Sequence, residues 1–167
     1  QVAYLENNPE ISVCGTNRYY IVNDKVVKKY NILFEKNGDI VSTFLLRSPF
    51  THPSVMFRTI LVKEGWKYNE NFECAQDYEL WSRMILSGLK MGNVSEPLIY
   101  YRVSSGQISC KKNAIQIECA KRIKKNILKS WNYSISDSEL SLLVLPYQVD
   151  AIITTSRIKK FGTLVSN

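Results

Sequence analysis

The groups in this chain able to do chemistry are few: a carboxylate opening a helix, a single histidine, four cysteines and a set of aromatic residues close to them. Asp77 begins the run DYELWSRMILSG (77–88), and Trp81, four positions on, falls on the same helical face. A carboxylate beside an aromatic wall at the edge of a cleft can act as a general base once a substrate hydroxyl comes within hydrogen-bond reach. Spacing alone favours a plainer role for Asp77, complementing the helix dipole. His52 stands between Thr51 and Pro53 ahead of an apolar run. It can bind substrate or serve as a satisfied turn histidine, and spacing favours the second. Cys14, Cys74, Cys110 and Cys119 form no C-x-x-C pair and have no second histidine to join them, so structural zinc is not expected. Their wide spacing reads as free thiols in a reducing compartment, with secretion and two disulfides as the alternative. No phosphate-binding glycine loop, no G-x-G-x-x-G, no G-x-S-x-G and no H-E-x-x-H occurs, which removes the usual support for kinase, dehydrogenase and hydrolase readings.

The elements that must position these groups read as a mixed α/β layer followed by a helical C-terminal third. Val2 and Leu5 have helical spacing up to Asn7-Asn8-Pro9, and the chain is expected to begin inside a helix of something longer. Short strands are predicted at Ile11–Gly15 and Arg18–Val22, the latter in a hairpin with Val26–Tyr30 around Asn23-Asp24-Lys25. Ile40, Val41, Phe44 and Leu45 suggest a modest amphipathic helix ending near Pro49, and Ser54–Phe57 a buried strand. Residues 65–72 read as a loop leading into the helix from Asp77, which Gly88 closes. Lys90–Val94 and Ile99–Val103 read as two strands parted by Ser95-Glu96-Pro97. Ile115, Cys119, Ile123, Ile127 and Trp131 recur every four positions on a long helix, with lysines on its opposite face. Ser136 and Glu139 form a capping box for a last apolar helix stopped by Pro146.

In 167 residues, 45% hydrophobic and 22% charged, there is enough apolar surface for one ordinary core, which excludes disorder as the main state. No apolar stretch approaches a membrane span, and a cytoplasmic protein is the expectation. The formal charge of +7 is concentrated. Residues 110–130 hold seven basic side chains against Glu118, a net +6, so the basic character belongs to one helix. It has no interleaved aromatic platform for stacking bases, and nucleic acid is not expected as a partner. The helix reads as a solvated face, with peripheral contact to an anionic inner membrane surface as the alternative.

The succession HPSVMFR (52–58), NFECAQDYELWSRMILSG (71–88) and EPLIYYRVSSGQIS (96–109) resembles the back half of an inverting glycosyltransferase of the GT-A type, family two. The resemblance runs from about Val2 to Ser109. It implies an incomplete, Rossmann-like GT-A fold, with residues 1–109 as the acceptor-side part and 110–167 as a helical, basic extension. It further implies that Asp77 is the general base, deprotonating an acceptor hydroxyl as it attacks the anomeric carbon of a nucleotide sugar. Gln76, Tyr78 and Trp81 are implied to shape the acceptor site, His52 to line the same cleft, and Arg102 to lie near the diphosphate, although a strand-end ion pair explains Arg102 equally well. The acceptor is implied to be a saccharide or a lipid-linked saccharide, and surface polysaccharide synthesis the setting.

This chain departs from the pattern at Gln76, where a glutamate is usual, and at Ser104, where many relatives have a histidine that helps hold the metal. It contains no Asp-x-Asp, so the nucleotide-binding half and its Mn or Mg ion are expected elsewhere in a full-length enzyme, with no metal and no turnover in this chain alone. The alternatives are a non-catalytic module that binds glycan or protein, and a peripheral membrane binder acting through the basic helix.

Overall fold

The computed structural model describes residues 1–27, 33–103 and 113–144. It is an α/β fold with a mixed, open four-stranded sheet and helices, an arrangement that fits a Rossmann-like class. A short helix α1 (Val2–Asn7) leads into β1 (Ile11–Val22), the strand to which the other three pair. β4 (Lys90–Arg102) runs parallel to β1 from Ile11↔Lys90 to Ile21↔Arg102. The other edge of β1 carries two short antiparallel partners, β3 (Met56–Phe57) at Val13 and Cys14 and β2 (Lys25–Val27) at Tyr20 to Val22.

Several expectations change here for physical reasons. The two strands foreseen in 11–22 are one, and so are the two in 90–103. Pairing across the full length of the parallel ladder absorbs the turn-like residues, and register shifts at Thr16/Asn17 and Asn17/Arg18 take up the Ser95-Glu96-Pro97 step. The hairpin loop is Asn23-Asp24 alone. Both residues have φ near +50 to +60°, as a two-residue turn matching strand twist requires, so Lys25 pairs with Val22. The apolar run at 54–57 is not a buried strand. Residues His52–Ser54 form a 3₁₀ turn, β3 has two residues, and Phe57 is 40% exposed. A short helix α3 (Thr59–Lys63), absent from the sequence reading, follows at once and buries only Leu61.

The sheet is covered on both faces at the base of β1. Val13 joins the main core and Cys14 faces the other side with Leu5, Tyr4 and Met56, as strand alternation demands, while a register shift between Ile11 and Val13 lets Ile11 share the side of Cys14. Arg58 fastens this second cluster: its Nε donates to the Ile11 carbonyl at 2.8 Å and its Nη2 to the Leu5 carbonyl at 2.6 Å, satisfying groups at the end of α1. In the main core, α2 (Asn37–Thr43) supplies Ile40, the turn after it Phe44, and α4 (Gln76–Leu86) supplies Tyr78, Trp81 and Met84. α5 (Asn113–Ser130) contributes Cys119, Ile123 and Ile127 to the same core, and α6 (Asp137–Val144) adds Leu140 and Leu143.

The stripe foreseen on α5 holds at its centre and fails at its ends, since Ile115 is 39% and Trp131 47% exposed. Its opposite face is not uniformly a row of free lysines. Lys124 is fully buried and donates to the carbonyls of Leu46 at 2.9 Å and Leu143 at 2.6 Å. Arg122 lies over the Phe72 ring, and Lys125 pairs with Asp137 at 3.4 Å. Lys111, Lys112, Cys110, Ser104 and Pro146 lie outside the described residues. Cys14, Cys74 and Cys119 are buried, and Cys14 and Cys119 are free thiols. Among the described residues no helix is long and apolar enough to cross a membrane.

Candidate active site

The site is built on the N-terminus of α4. Ala75 takes a left-handed conformation, φ +58°, which turns the chain sharply into the helix and sets Gln76 and Asp77 in its first turn. Asp77 is half-buried there, where the unpaired backbone N–H groups of a helix start favour a carboxylate. The helix is held from beneath. Trp81 is 0% exposed and meets Phe50 edge-on with ring centroids 5.5 Å apart, and Tyr78 is 2% exposed with its hydroxyl donating to the Phe44 carbonyl.

The structure therefore places Tyr78 and Trp81 under Asp77 as packing that fixes its position, and their side chains offer no surface to a ligand. Gln76 is half-buried at the rim and its Nε2 donates to the Glu73 carbonyl at 2.9 Å.

His52 approaches from the 3₁₀ turn, and Tyr68 joins it to the helix. The His52 Nε2 and the Tyr68 hydroxyl are 3.0 Å apart, with the rings edge to face. The phenol donates when the imidazole carries its proton on Nδ1 and accepts when the proton is on Nε2. Tyr68 in turn feels Asp77: burial first, and then the nearby Asp77 carboxylate, push the phenol above its usual pKa. The phenol is consequently held in its protonated form to higher pH. Asp77, Tyr68 and His52 thus form one polar cluster on an otherwise apolar base.

Tyr68 escaped the sequence reading because it sits in an aperiodic loop, where no spacing rule singles out one aromatic residue. The tethering of that loop was partly visible in the i, i+4 pair of Glu79 and Arg83. Glu79, 6% exposed, holds the Arg83 Nε at 2.7 Å, and Arg83 donates from Nη2 to the Lys67 carbonyl at 2.7 Å, beside Tyr68. From the other side Arg122 donates to the Asn71 carbonyl at 3.3 Å.

Arg102 stands apart from this cluster. It pairs with Asp24 of the hairpin turn, both side chains well exposed at 60% and 88%. A cleft of about 390 Å³ between α1, α2 and β4 also shares none of the cluster's residues. Among the described residues no three His, Cys, Asp or Glu side chains converge as metal ligands would.

Comparison with known proteins gives three relatives. The chain is 29% identical over 128 residues to an uncharacterized glycosyltransferase of Haemophilus influenzae, covering 75% of the chain and 46% of the relative. It is 29% identical over 135 residues to a second uncharacterized glycosyltransferase of that organism, covering 74% and 41%. With the amylovoran biosynthesis glycosyltransferase AmsE of Erwinia amylovora it shares 25% over 145 residues, 87% of the chain and 47% of the relative. No family model matches the chain, and no solved structure does. The chain spans a little under half the length of these curated relatives, and it is to glycosyltransferases that it is similar over about three quarters or more of its own length.

Proposed function

We propose that the protein to which this chain belongs is a glycosyltransferase of the inverting GT-A type, and that this chain carries its general base and acceptor side. The observation that carries the reading is the position of Asp77: half-buried in the first turn of α4, immobilised by Trp81 and Tyr78 below, and next to the Tyr68–His52 pair. Similarity to three proteins named glycosyltransferases supports the reaction class, and the name of AmsE supports a setting in polysaccharide biosynthesis.

In the proposed reaction the acceptor hydroxyl, on a saccharide or a lipid-linked saccharide, lies within hydrogen-bond reach of the Asp77 carboxylate. Asp77 takes its proton as the oxygen attacks the anomeric carbon of a nucleotide sugar, opposite the departing diphosphate, so that configuration inverts. Tyr68, His52 and Gln76 line the rim and bind the acceptor, and Tyr78 and Trp81 keep the helix start in place. In the full-length protein a Mn or Mg ion, held by nucleotide-binding residues outside this chain, would supply charge neutralisation for the leaving diphosphate. The proposed location is the cytoplasm, at the inner face of the membrane where a lipid-linked acceptor is presented.

The test is a transfer assay on the full-length protein with a panel of nucleotide sugars, in which the anomeric configuration of the product is read by NMR. Inversion is expected. A product of retained configuration removes the single-displacement role of Asp77, and transfer from no nucleotide sugar with any saccharide or lipid-linked acceptor removes the reading altogether.

A further inference from the structure

Beyond the core, β1 and β4 continue side by side as far as Ile21 and Arg102, and Arg18 lies on one face of this extension. Its guanidinium carbon sits 4.9 Å from the ring centre of Tyr20 and 5.1 Å from that of Tyr101. Nη1 donates to the hydroxyl of buried Thr51 at 2.6 Å and Nη2 to the Tyr20 hydroxyl at 2.5 Å. Two of the five N–H donors are thereby used, both on neutral oxygens, and the Nε–H is buried with no acceptor. Among the described residues no carboxylate pairs with Arg18.

A cation fixed in orientation by two rings and two hydroxyls, partly removed from water and without a counter-charge, is costly unless an anion completes it. The planar fork of a guanidinium suits the oxygens of a phosphate. Thr51, which receives the Arg18 bond, is followed directly by His52, so this cation adjoins the Asp77–Tyr68–His52 cluster through one residue. Arg102 cannot take this place. It follows Tyr101 in the strand and so faces the opposite side, where it meets Asp24.

We propose that Arg18, caged by Tyr20 and Tyr101, is a binding subsite for a diphosphate group of substrate. The source of that group rests on the glycosyltransferase reading: it belongs either to the nucleotide-sugar donor or to a lipid-diphosphate-linked acceptor.

The experiment measures inorganic pyrophosphate binding to the full-length protein by calorimetry in EDTA, which removes any contribution from a bound divalent ion. Arg18→Gln is expected to weaken binding by about ten- to a hundredfold, and Arg18→Lys, which keeps the charge and loses the fork, by less. In the wild type the Arg18 Nε–H resonance is expected to shift on saturation, a readout independent of whether either variant folds. Pyrophosphate that fails to bind the wild type, binds wild type and folded variants equally, or leaves the Nε–H unmoved overturns the subsite. Kinetics assign the source. A raised KM for the nucleotide sugar alone places the donor diphosphate at Arg18, and a raised KM for a lipid-diphosphate acceptor, with none for an acceptor lacking the diphosphate, places the acceptor there. Absence of any transfer refutes the glycosyltransferase reading and leaves the pyrophosphate result to decide the subsite by itself.

Discussion

Trp81 and Tyr78 shape the site without touching a ligand, and that separates the consequences of substituting them from those of substituting their neighbours. Trp81→Ala is expected to cost about 3–5 kcal/mol of unfolding free energy by leaving a cavity against Phe50, measured by denaturant unfolding. Tyr68→Phe belongs to the other kind. Tyr68 is 46% exposed, so stability should move by less than about 0.5 kcal/mol. Loss of the hydroxyl that meets the His52 Nε2 should lower kcat/KM for transfer about two- to tenfold. An unchanged kcat/KM would remove Tyr68 from the site. Asp77 and His52 were legible in the sequence because one opens a strongly patterned helix and the other is the single histidine. Tyr68 and Arg18 were not. A loop aromatic and a strand arginine acquire meaning only from residues brought to them by the fold, here His52 from 16 positions away and Thr51 from 33.

At the scale of elements, signals carried by the local chain survive and those set by tertiary pairing do not. α4 begins one residue before the expected Asp77 and ends at Leu86, with Gly88 two residues on in the left-handed conformation, φ +88°, because cap and periodicity are local properties. The capping box of α6 is likewise formed: the Ser136 hydroxyl accepts from the Glu139 N–H at 3.3 Å, and Glu139 Oε2 accepts from the Ser136 N–H at 3.0 Å. Ser136→Ala should cost about 1 kcal/mol in thermal or denaturant unfolding. β1 and β4 were read as four pieces, β4 because Ser95-Glu96-Pro97 look like turn residues in isolation, whereas the β1–β4 ladder is continuous. In the sheet Gly15 is where another chain segment comes close: an added Cβ would lie 2.5 Å from Asn93 Oδ1 and 2.7 Å from the Phe50 ring. Gly15→Ala is accordingly expected to destabilise by about 1–3 kcal/mol, as overpacking does. A stability equal to wild type would mean that Asn93 and Phe50 move aside freely.

Across the whole molecule the formal +7 looked like one cationic helix, and the fold redistributes it. Lys124 crosses into the core to hold α5 against the Leu46 carbonyl and the Leu143 carbonyl of α6, and burial lowers its pKa from 10.5 to about 7. The unfolded chain then binds more protons than the folded one between about pH 7 and 10.5, so this group makes stability rise with pH across that window, by up to about 1.4 kcal/mol per unit, and contributes no slope below it. Lys124→Met should flatten the rise between pH 7 and 9 in unfolding titrations. Burial of a lysine is invisible to a pattern that sorts residues by charge, as is the pairing of Lys125 with Asp137. The α/β class and the helix that carries Asp77 were readable from periodicity, whereas α3 and the 3₁₀ turn at His52 were not. The remaining half of the relatives' length lies outside this chain, and the account of glycosyl transfer depends on a full-length protein in which Asp77 is the base. The decisive measurement is transfer by full-length Asp77→Asn, a substitution of one half-buried rim residue. The account predicts a fall in kcat of about 10²–10⁴-fold with the melting temperature and the KM for nucleotide sugar close to wild type. Undiminished transfer by the folded variant would contradict it.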